Sequence, residues 1–228
     1  MAEYVVEFGK DGGPGEADGR LDAQAFHRNR QPIRTVLQAR LTGKSGEVLE
    51  AASGTGQHVI DFAGHFPEIA WWPSDFNEQH LKSIAAWRAH AGLPNVRPPL
   101  RIDLSDPAWC PEMQDGRGPG ELLAVFCANV IHIAPWQVAE GLFAGAGRYL
   151  RADGQLFLYG PFKRDGQHTA ISNAVFDASL REGNPQWGVR DLEAVEALAA
   201  RTGLRLAEIA EMPANNLTLV FERPKTTA

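Results

Sequence analysis

The sequence predicts an α/β fold in which seven strands form one mainly parallel sheet. Short apolar strands alternate along the chain with helical segments of about ten to fifteen residues, which is typical of a parallel sheet covered by helices on both faces. The last two strands follow each other without a helix, and Pro213-Ala214-Asn215-Asn216 turns the chain between them, so we expect them to pair antiparallel. The sheet should therefore be doubly wound and Rossmann-like, with an antiparallel edge strand.

The individual elements follow from hydrophobic periodicity and from turn residues. Residues 1–20 are rich in glycine and lack periodicity, which predicts a flexible arm ahead of a single domain over residues 21–228. The first core helix should begin at about Pro32, early in a stretch of helical periodicity. A long polar and aromatic segment near residues 160–191 is expected to be an insert on the substrate side of the domain. Strands are predicted at 47–52, 69–72, 100–104, 121–128, 154–159, 204–209 and 217–222, and helices at 32–41, 57–66, 77–91, 138–150 and 192–202.

Composition and charge narrow the function classes. Lysine and arginine number 22 against 28 aspartate and glutamate residues, and the net charge of −6 disfavours a nucleic-acid partner. Because the chain has no apolar run of membrane-spanning length and no secretion signal at its beginning, we expect a soluble cytoplasmic protein. Cys110 and Cys127 cannot form a disulfide framework or a four-thiolate zinc site, and the dispersed histidines fit no metal-ligand pattern. A small-molecule substrate is expected, without nucleic acid, membrane or metal, and the oligomeric state stays open.

A glycine loop directly follows the first predicted strand. The strand ends at Glu50, and the loop contains Ser53, Gly54, Thr55 and Gly56. Glycines there let the backbone turn tightly and approach a ligand without a β-carbon in the way. A dinucleotide fingerprint would need a third glycine at position 59, where this chain has valine. An acid inside an apolar strand, as at Glu50, is costly unless a partner stabilises it, which favours a binding role.

Two further acids should lie at the same rim of the sheet as the loop. Asp75 ends the second strand and can accept the two hydroxyls of a ribose, although it could instead cap the helix that begins near Asn77. Asp103 ends the third strand, where it could receive the exocyclic amine of an adenine with Leu104 beside it, or simply form a turn. The carboxylates would repel a pyrophosphate, so this acidity suits an adenosine ligand without phosphates.

The residues Glu50 to Gly56 resemble the first motif of the class I S-adenosylmethionine-dependent methyltransferases, which reads E-x-x-x-G-x-G. A narrower resemblance, to the uncharacterised family that contains human methyltransferase-like protein 26, extends over nearly the whole chain. It is carried by residues 28–33, 52–58, 72–75, 129–136, 159–162, 172–177, 187–191 and 213–216. The resemblance implies the fold and S-adenosyl-L-methionine as the cofactor, and it implies little about the substrate.

The fourth predicted strand should bring the reacting side chains to this rim. Asn129 can hold the methionine portion of the cofactor or a polar group of the substrate. His132 has an ordinary pKa that suits a general base near neutrality. The alternative is a structural histidine bonded to a backbone carbonyl. Tyr159, at the end of the fifth strand, is a second catalytic candidate.

Further substrate-side candidates lie on the insert, after the fourth strand and near the N-terminus. The candidates for the wall of a substrate pocket are Trp136, Tyr159, Asn173, Trp187 and Arg190, with His132. Phe176 and Leu180 are expected to pack a short helix of the insert. Arg28 and Asn29 could hold a carboxylate of the cofactor or substrate, or belong to a solvated basic cluster.

These residues favour an enzyme that transfers a methyl group from S-adenosylmethionine to a small polar molecule. Whether the acceptor atom is oxygen, nitrogen or sulfur stays open. One alternative is a nicotinamide-dependent oxidoreductase on a related sheet, which the missing third glycine disfavours. Another is a sensor or adaptor that binds S-adenosylmethionine without catalysis.

Overall fold

The computed structural model describes residues 17–111, 118–119 and 121–225. Residues 1–16, which make up most of the predicted arm, lie outside the described residues. The chain divides into two compact units. Unit 1 comprises Met1–Asp103 and Cys110–Gly120, and unit 2 comprises Leu104–Trp109 and Glu121–Ala228.

Unit 1 alternates helices and parallel strands. Its elements are α1 (Gln24–Leu41), β1 (Gly46–Glu50), α2 (Gln57–His65), β2 (Ile69–Asp75), α3 (Glu78–Ala91) and β3 (Leu100–Arg101). The strand order is β3-β2-β1, and β1 and β2 pair parallel with Leu49 opposite Trp72. The carboxyl ends of β1 and β2 therefore carry Glu50 and Asp75 side by side. These two strands are almost wholly buried where they end.

The first helix is longer than predicted. It begins at Gln24 and contains Pro32, whereas the sequence indicated a start at about Pro32. Its buried stripe runs through Phe26, Asn29, Ile33, Leu37 and Leu41. The first turns were missed because a polar residue, Asn29, occupies one position of that stripe.

Unit 2 carries the remaining strands of the main sheet. Its elements are β4 (Leu122–Ala128), α4 (Trp136–Tyr149), β5 (Leu150–Gly160), β6 (Phe162–Arg164), β7 (Gln167–His168), α5 (Ile171–Gly183), β8 (Arg190–Asp191), α6 (Leu192–Arg201), β9 (Arg205–Met212) and β10 (Asn216–Glu222). The strand order is β4-β5-β10-β9. Strands β4 and β5 are parallel, and β10 is antiparallel to both β5 and β9.

The main sheet thus has seven mainly parallel strands, three in unit 1 and four in unit 2, with helices between them. The predicted fold class, a Rossmann-like α/β fold with an antiparallel strand pair at the edge, is confirmed. The strand that runs against its neighbours is β10, and β9 forms the edge.

The segment predicted as an insert has a small sheet of its own. Strands β7, β6 and β8 form it in that order, with Phe162 of β6 opposite Arg190 of β8. Helix α5 lies between β7 and β8 in the chain. The sequence indicated only the helix, because strands of two or three residues are too short to show a period.

Candidate functional site

The loop after β1 turns through three residues with positive φ. Ala52 has φ 55°, Gly54 has φ 57° and Gly56 has φ 90°. Gly56 precedes α2, and a β-carbon there would lie 3.0 Å from the Cα atom of Ile84 in α3. Only glycine meets both the left-handed backbone and this close approach without strain. The backbone of the loop therefore carries no side chain at Gly56, where α2 begins.

Asp75 fastens this loop to the end of β2. Its Oδ2 atom accepts a hydrogen bond from the backbone N–H of Gly54 at 2.9 Å, and its Oδ1 atom accepts one from that of Asn77 at 2.9 Å. The residue that caps α3 is Asn77, whose side chain accepts from the backbone N–H of Gln79 at 2.8 Å. The capping alternative for Asp75 therefore does not hold. The Asp75 Oδ1 atom also lies 3.2 Å from Nδ1 of His80. A carboxylate has about four lone-pair positions, so Asp75 keeps acceptor capacity beyond these three contacts.

Glu50 is a buried carboxyl group with an unused oxygen. The residue is 2% exposed, and its Oε2 atom has no hydrogen-bond partner among the described residues. Burial raises the pKa of Glu50 to about 8; a hydrogen bond from Ser53 opposes this shift, and the nearby charge of Asp75 adds to it. Glu50 is therefore held in a position where a hydrogen-bond donor or a cation would be stabilised.

Ser53 and Thr55 use their side chains to shape the loop. The Ser53 hydroxyl donates to the backbone carbonyl of Glu50 at 3.2 Å and accepts from the backbone N–H of Ser74 at 3.1 Å. The Thr55 hydroxyl donates to Oε1 of Gln57 at 3.0 Å. These contacts join the loop to β2 and to the first turn of α2.

The chain ahead of α1 is bound to the same loop region. Gln57 donates through Nε2 to Asp22 at 2.6 Å and accepts through Oε1 from the backbone N–H of Ala23 at 2.8 Å. Ser83, which donates to the carbonyl of Thr55 at 2.8 Å, accepts from the backbone N–H of Leu21 at 2.9 Å. Sequence analysis missed these contacts because their partners are far apart in the chain.

The other predicted residues of unit 1 fall into buried and exposed positions. Asn29 is buried and accepts through Oδ1 from Nε2 of His58 at 2.8 Å. Burial lowers the pKa of His58 to about 4, so this imidazole is neutral near pH 7. Arg28 and Asp103 are exposed, which is consistent with the solvated alternative for Arg28. Leu104, which belongs to unit 2, is buried.

In unit 2, polar residues gather at the ends of β4 and β5. Asn129 follows β4 with φ 57°, and its backbone N–H donates to the carbonyl of Tyr159 at 2.9 Å. A β-carbon on Gly160 would lie 3.2 Å from the ring of His132 and 3.8 Å from Oδ1 of Asn129. The predicted residues Asn129, His132 and Tyr159 are thus brought together around Gly160. We call these four residues the His132 cluster.

The loop that carries His132 is held by the insert. The backbone N–H of Gly188 donates to the carbonyl of His132 at 2.9 Å. Arg190 donates to the carbonyls of Ile131 at 2.9 Å, Gln186 at 2.9 Å and also Ala134. The guanidinium group predicted to bind substrate therefore has three backbone partners, and it fixes the position of the loop.

His132 is neutral in this environment. Burial lowers the pKa of His132 to about 3, and the charge of Arg190 adds to the effect. A general base near neutrality would need the ordinary pKa of histidine, and burial lowers the pKa of His132 far below that value. A neutral imidazole still has one donor and one acceptor nitrogen for orienting a hydroxyl group.

Helix α5 contributes both anchoring and exposed residues. Asn173 donates to the carbonyl of Asn215 at 2.9 Å and to the hydroxyl of Thr169 at 3.1 Å, so its amide anchors the helix. Leu180 is buried as predicted, whereas Phe176 is partly exposed and its ring lies edge-on to that of His132, with centroids 5.6 Å apart. Phe176 therefore packs α5 against the His132 loop through one edge of its ring and leaves the rest of the side chain exposed.

The two tryptophans proposed for the substrate side lie beside this loop. The guanidinium carbon of Arg190 lies 5.8 Å from the ring centre of Trp136. The indole N–H of Trp187 is buried and has no hydrogen-bond partner in the described part of the chain. Trp187 therefore offers a donor that a bound molecule could use.

Among the described residues, no group of three or more histidine, cysteine, aspartate or glutamate side chains is placed to hold a metal ion. None of their helices combines the length and the apolar character that crossing a membrane requires.

Solved structures of O-methyltransferases share this fold. An O-methyltransferase family protein from Burkholderia thailandensis matches with a TM-score of 0.68 and 16% identity over 87% of this chain and 57% of that one. An O-methyltransferase family 2 protein from Planctomyces limnophilus, in complex with apigenin, matches with a TM-score of 0.67 and 18% identity over 86% and 56%. The mitomycin 7-O-methyltransferase matches with a TM-score of 0.68 and 15% identity over 85% and 53%. The chain thus spans little more than half the length of these proteins.

At such identities the likeness shows the fold alone, and the family is shown by a separate match. Residues 20–223, which include both the glycine loop and the His132 cluster, match the family described as "Protein of unknown function (DUF938)". The match covers nearly all of the described chain, and the protein therefore belongs to the DUF938 family.

Proposed function

We propose that the protein is an S-adenosylmethionine-dependent methyltransferase that acts on a hydroxyl group of a small molecule. The observation that carries this proposal is the unpartnered carboxylate oxygen of buried Glu50 beside a glycine loop. The names of the structural neighbours, which are O-methyltransferases, support the reaction type and the oxygen acceptor. We also propose the narrower relationship to the family of methyltransferase-like protein 26 and a single domain with its insert on the substrate side.

The residues of unit 1 fit the chemistry of this cofactor. An ammonium group would provide the donor that Glu50 Oε2 lacks. The remaining lone pairs of the Asp75 carboxylate can accept hydrogen bonds from the hydroxyl groups of a ribose. A pyrophosphate would meet the repulsion of Asp75, whose charge also acts on Glu50, and this disfavours a nicotinamide dinucleotide. Ser53, Thr55 and Asn29 support the loop and α2 through their own bonds.

The reaction itself is a displacement at carbon. S-adenosylmethionine, when bound, would supply a methyl group on a sulfonium. The acceptor oxygen would bond to that carbon as the carbon–sulfur bond breaks with its electron pair on sulfur, and the proton of the acceptor would pass to solvent water. Positioning provides most of the rate in such a step. We assign the orientation of the acceptor hydroxyl to the neutral imidazole of His132, with Asn129 and Tyr159 beside it.

Binding of cofactor tests the proposal. Calorimetry should detect binding of S-adenosylmethionine and S-adenosylhomocysteine to the wild-type protein and no binding of NAD. Glu50→Gln should weaken the binding of S-adenosylmethionine by about tenfold or more, because a charge-assisted hydrogen bond is worth about 1.5–3 kcal/mol. Glu68→Gln, a matched change at an exposed acid of unit 1, should leave the affinity unchanged.

The outcomes separate the competing functions. Binding of NAD without either sulfur compound would replace the proposal with an oxidoreductase. If S-adenosylmethionine binds but no labelled methyl group passes to any fraction of a small-molecule extract, the protein is a sensor or adaptor instead.

A further inference from the structure

Helix α5 has an inverted distribution of polar and apolar residues. A surface helix normally buries its apolar stripe and exposes its polar side. In α5 the buried residues are Asn173, Asp177 and Leu180, of which two are polar, whereas Ile171 is 86% exposed, Val175 66% and Phe176 39%. Only Ile209 joins them as an exposed large hydrophobic residue in the described part of the chain. We call Ile171, Val175 and Phe176 the α5 patch.

Specific contacts hold the helix in this orientation. Asn173 is bonded to Thr169 and Asn215 as described above. Asp177 accepts from the backbone N–H of Val189 at 2.6 Å and from Nε of Arg181 at 3.1 Å. Turning the patch inward would break these bonds and leave buried polar groups unpaired, which is costly. The apolar face is therefore held outward by the rest of unit 2.

The α5 patch is continuous with the His132 cluster through Phe176, whose ring meets that of His132. The ring of His132 is neutral. The hydrogen-bonding groups of the two nearest charged side chains are used within the protein: Arg190 donates to three carbonyls, and Asp177 accepts from Val189 and Arg181 and lies 3.4 Å from Nε2 of His168. A molecule at this place meets apolar surface and a neutral imidazole.

We infer that the methyl acceptor is an uncharged aromatic alcohol, whose ring lies on Phe176 and Val175 and whose hydroxyl group faces His132. This inference rests on the proposed methyl transfer and deepens it. It also departs from the small polar acceptor expected from the sequence, because the apolar patch offers no partners for a highly polar molecule. An aromatic ring against Phe176 gains both apolar burial and the preferred edge or offset contact of two rings.

The probe for the test is 2-naphthol, an uncharged and fluorescent bicyclic alcohol. It is titrated into the full-length protein saturated with S-adenosylhomocysteine, and myo-inositol is titrated as a polar cyclic alcohol. We expect 2-naphthol to bind and myo-inositol not to bind. Phe176→Ala should weaken the binding of 2-naphthol by about tenfold and Val175→Ser by about threefold. Ile209→Ser, on β9 at an apolar site about as exposed as Phe176, should have no effect. Phe176→Leu, which keeps the apolar volume, should fall between Phe176→Ala and wild type.

The outcomes distinguish this inference from the proposed function. If S-adenosylhomocysteine binds but 2-naphthol does not, or binds equally to wild type and Phe176→Ala, the aromatic acceptor is overturned and the cofactor assignment stands. If S-adenosylhomocysteine itself does not bind, the proposed function fails. Sedimentation of wild type and Val175→Ser supplies the last control. A dimer that dissociates on this substitution, with 2-naphthol affinity unchanged, would make the patch an interface between two copies.

Discussion

The buried carboxyl group of Glu50 should make the stability of the apo protein fall as the pH rises. Its pKa is raised from 4.5 to about 8, so the folded state keeps a proton that the unfolded state releases. The stabilisation is fully present below pH 4.5 and is lost as the pH rises towards 8. Each pH unit in this window is worth about 1.4 kcal/mol, so the loss amounts to about 3 kcal/mol at pH 7 and about 5 kcal/mol at pH 8.

Glu50→Gln isolates this contribution. The neutral amide has nearly the same shape and does not titrate, so the variant should match wild type at about pH 4 and exceed its free energy of unfolding by about 3 kcal/mol at pH 7. Urea unfolding, followed by tryptophan fluorescence at several pH values, measures the difference in free energy of unfolding between the variant and wild type. The contributions of all other titrating groups cancel in this difference. Glu68→Gln is the control and should track wild type. Parallel curves for wild type and Glu50→Gln between pH 5 and 8 would refute the reasoning.

Three further changes test other contacts. Gly56→Ala should lower the free energy of unfolding by about 1–3 kcal/mol, because Gly56 has a φ of +90° and the backbone of Ile84 lies close to it. Gly64→Ala in α2, which has open space around it, should raise the free energy of unfolding by about 0.5–1 kcal/mol. Equal effects of the two changes in urea unfolding would contradict this. The His132 imidazole should stay neutral from pH 8 to about pH 4, because its pKa is lowered from 6.5 to about 3, and a midpoint near 6.5 in a nitrogen-15 NMR titration would sink the idea. Asp75→Ala should cost about 1.5–3 kcal/mol of stability, since two backbone N–H groups lose a charged acceptor; an unchanged urea midpoint would mean that this carboxylate does not hold the loop.

The seven strands of the main sheet were predictable because most of them are apolar runs bounded by turn residues. Their lengths were not. Only Leu100 and Arg101 of the predicted third strand pair with β2, because β2 itself ends at Asp75, whose carbonyl accepts one last hydrogen bond from the backbone N–H of Ile102. The start of α1 could not be predicted, because the burial of Asn29 in its first turns comes from a contact with His58 in another helix. Such long-range contacts are invisible to local periodicity.

The candidate residues were found where they adjoin a strand end. Glu50 and Asp75 stand beside each other because parallel neighbouring strands end at one rim. Their protonation could not be predicted, since the pKa of Glu50 and of His132 depends on burial. The interpretation of Arg190 as a substrate ligand rested on its charge, whereas its position relative to three carbonyls appears only in the folded chain.

The order of strands in unit 2 has a consequence for synthesis of the chain. Strand β10 is made last of the four, yet it lies between β5 and β9 and pairs with both. Until residues 216–222 have left the ribosome, β5 has one open edge and β9 has no partner among the described strands. Unpaired edges of this kind are templates for aggregation, so truncation just before β10 should yield insoluble protein.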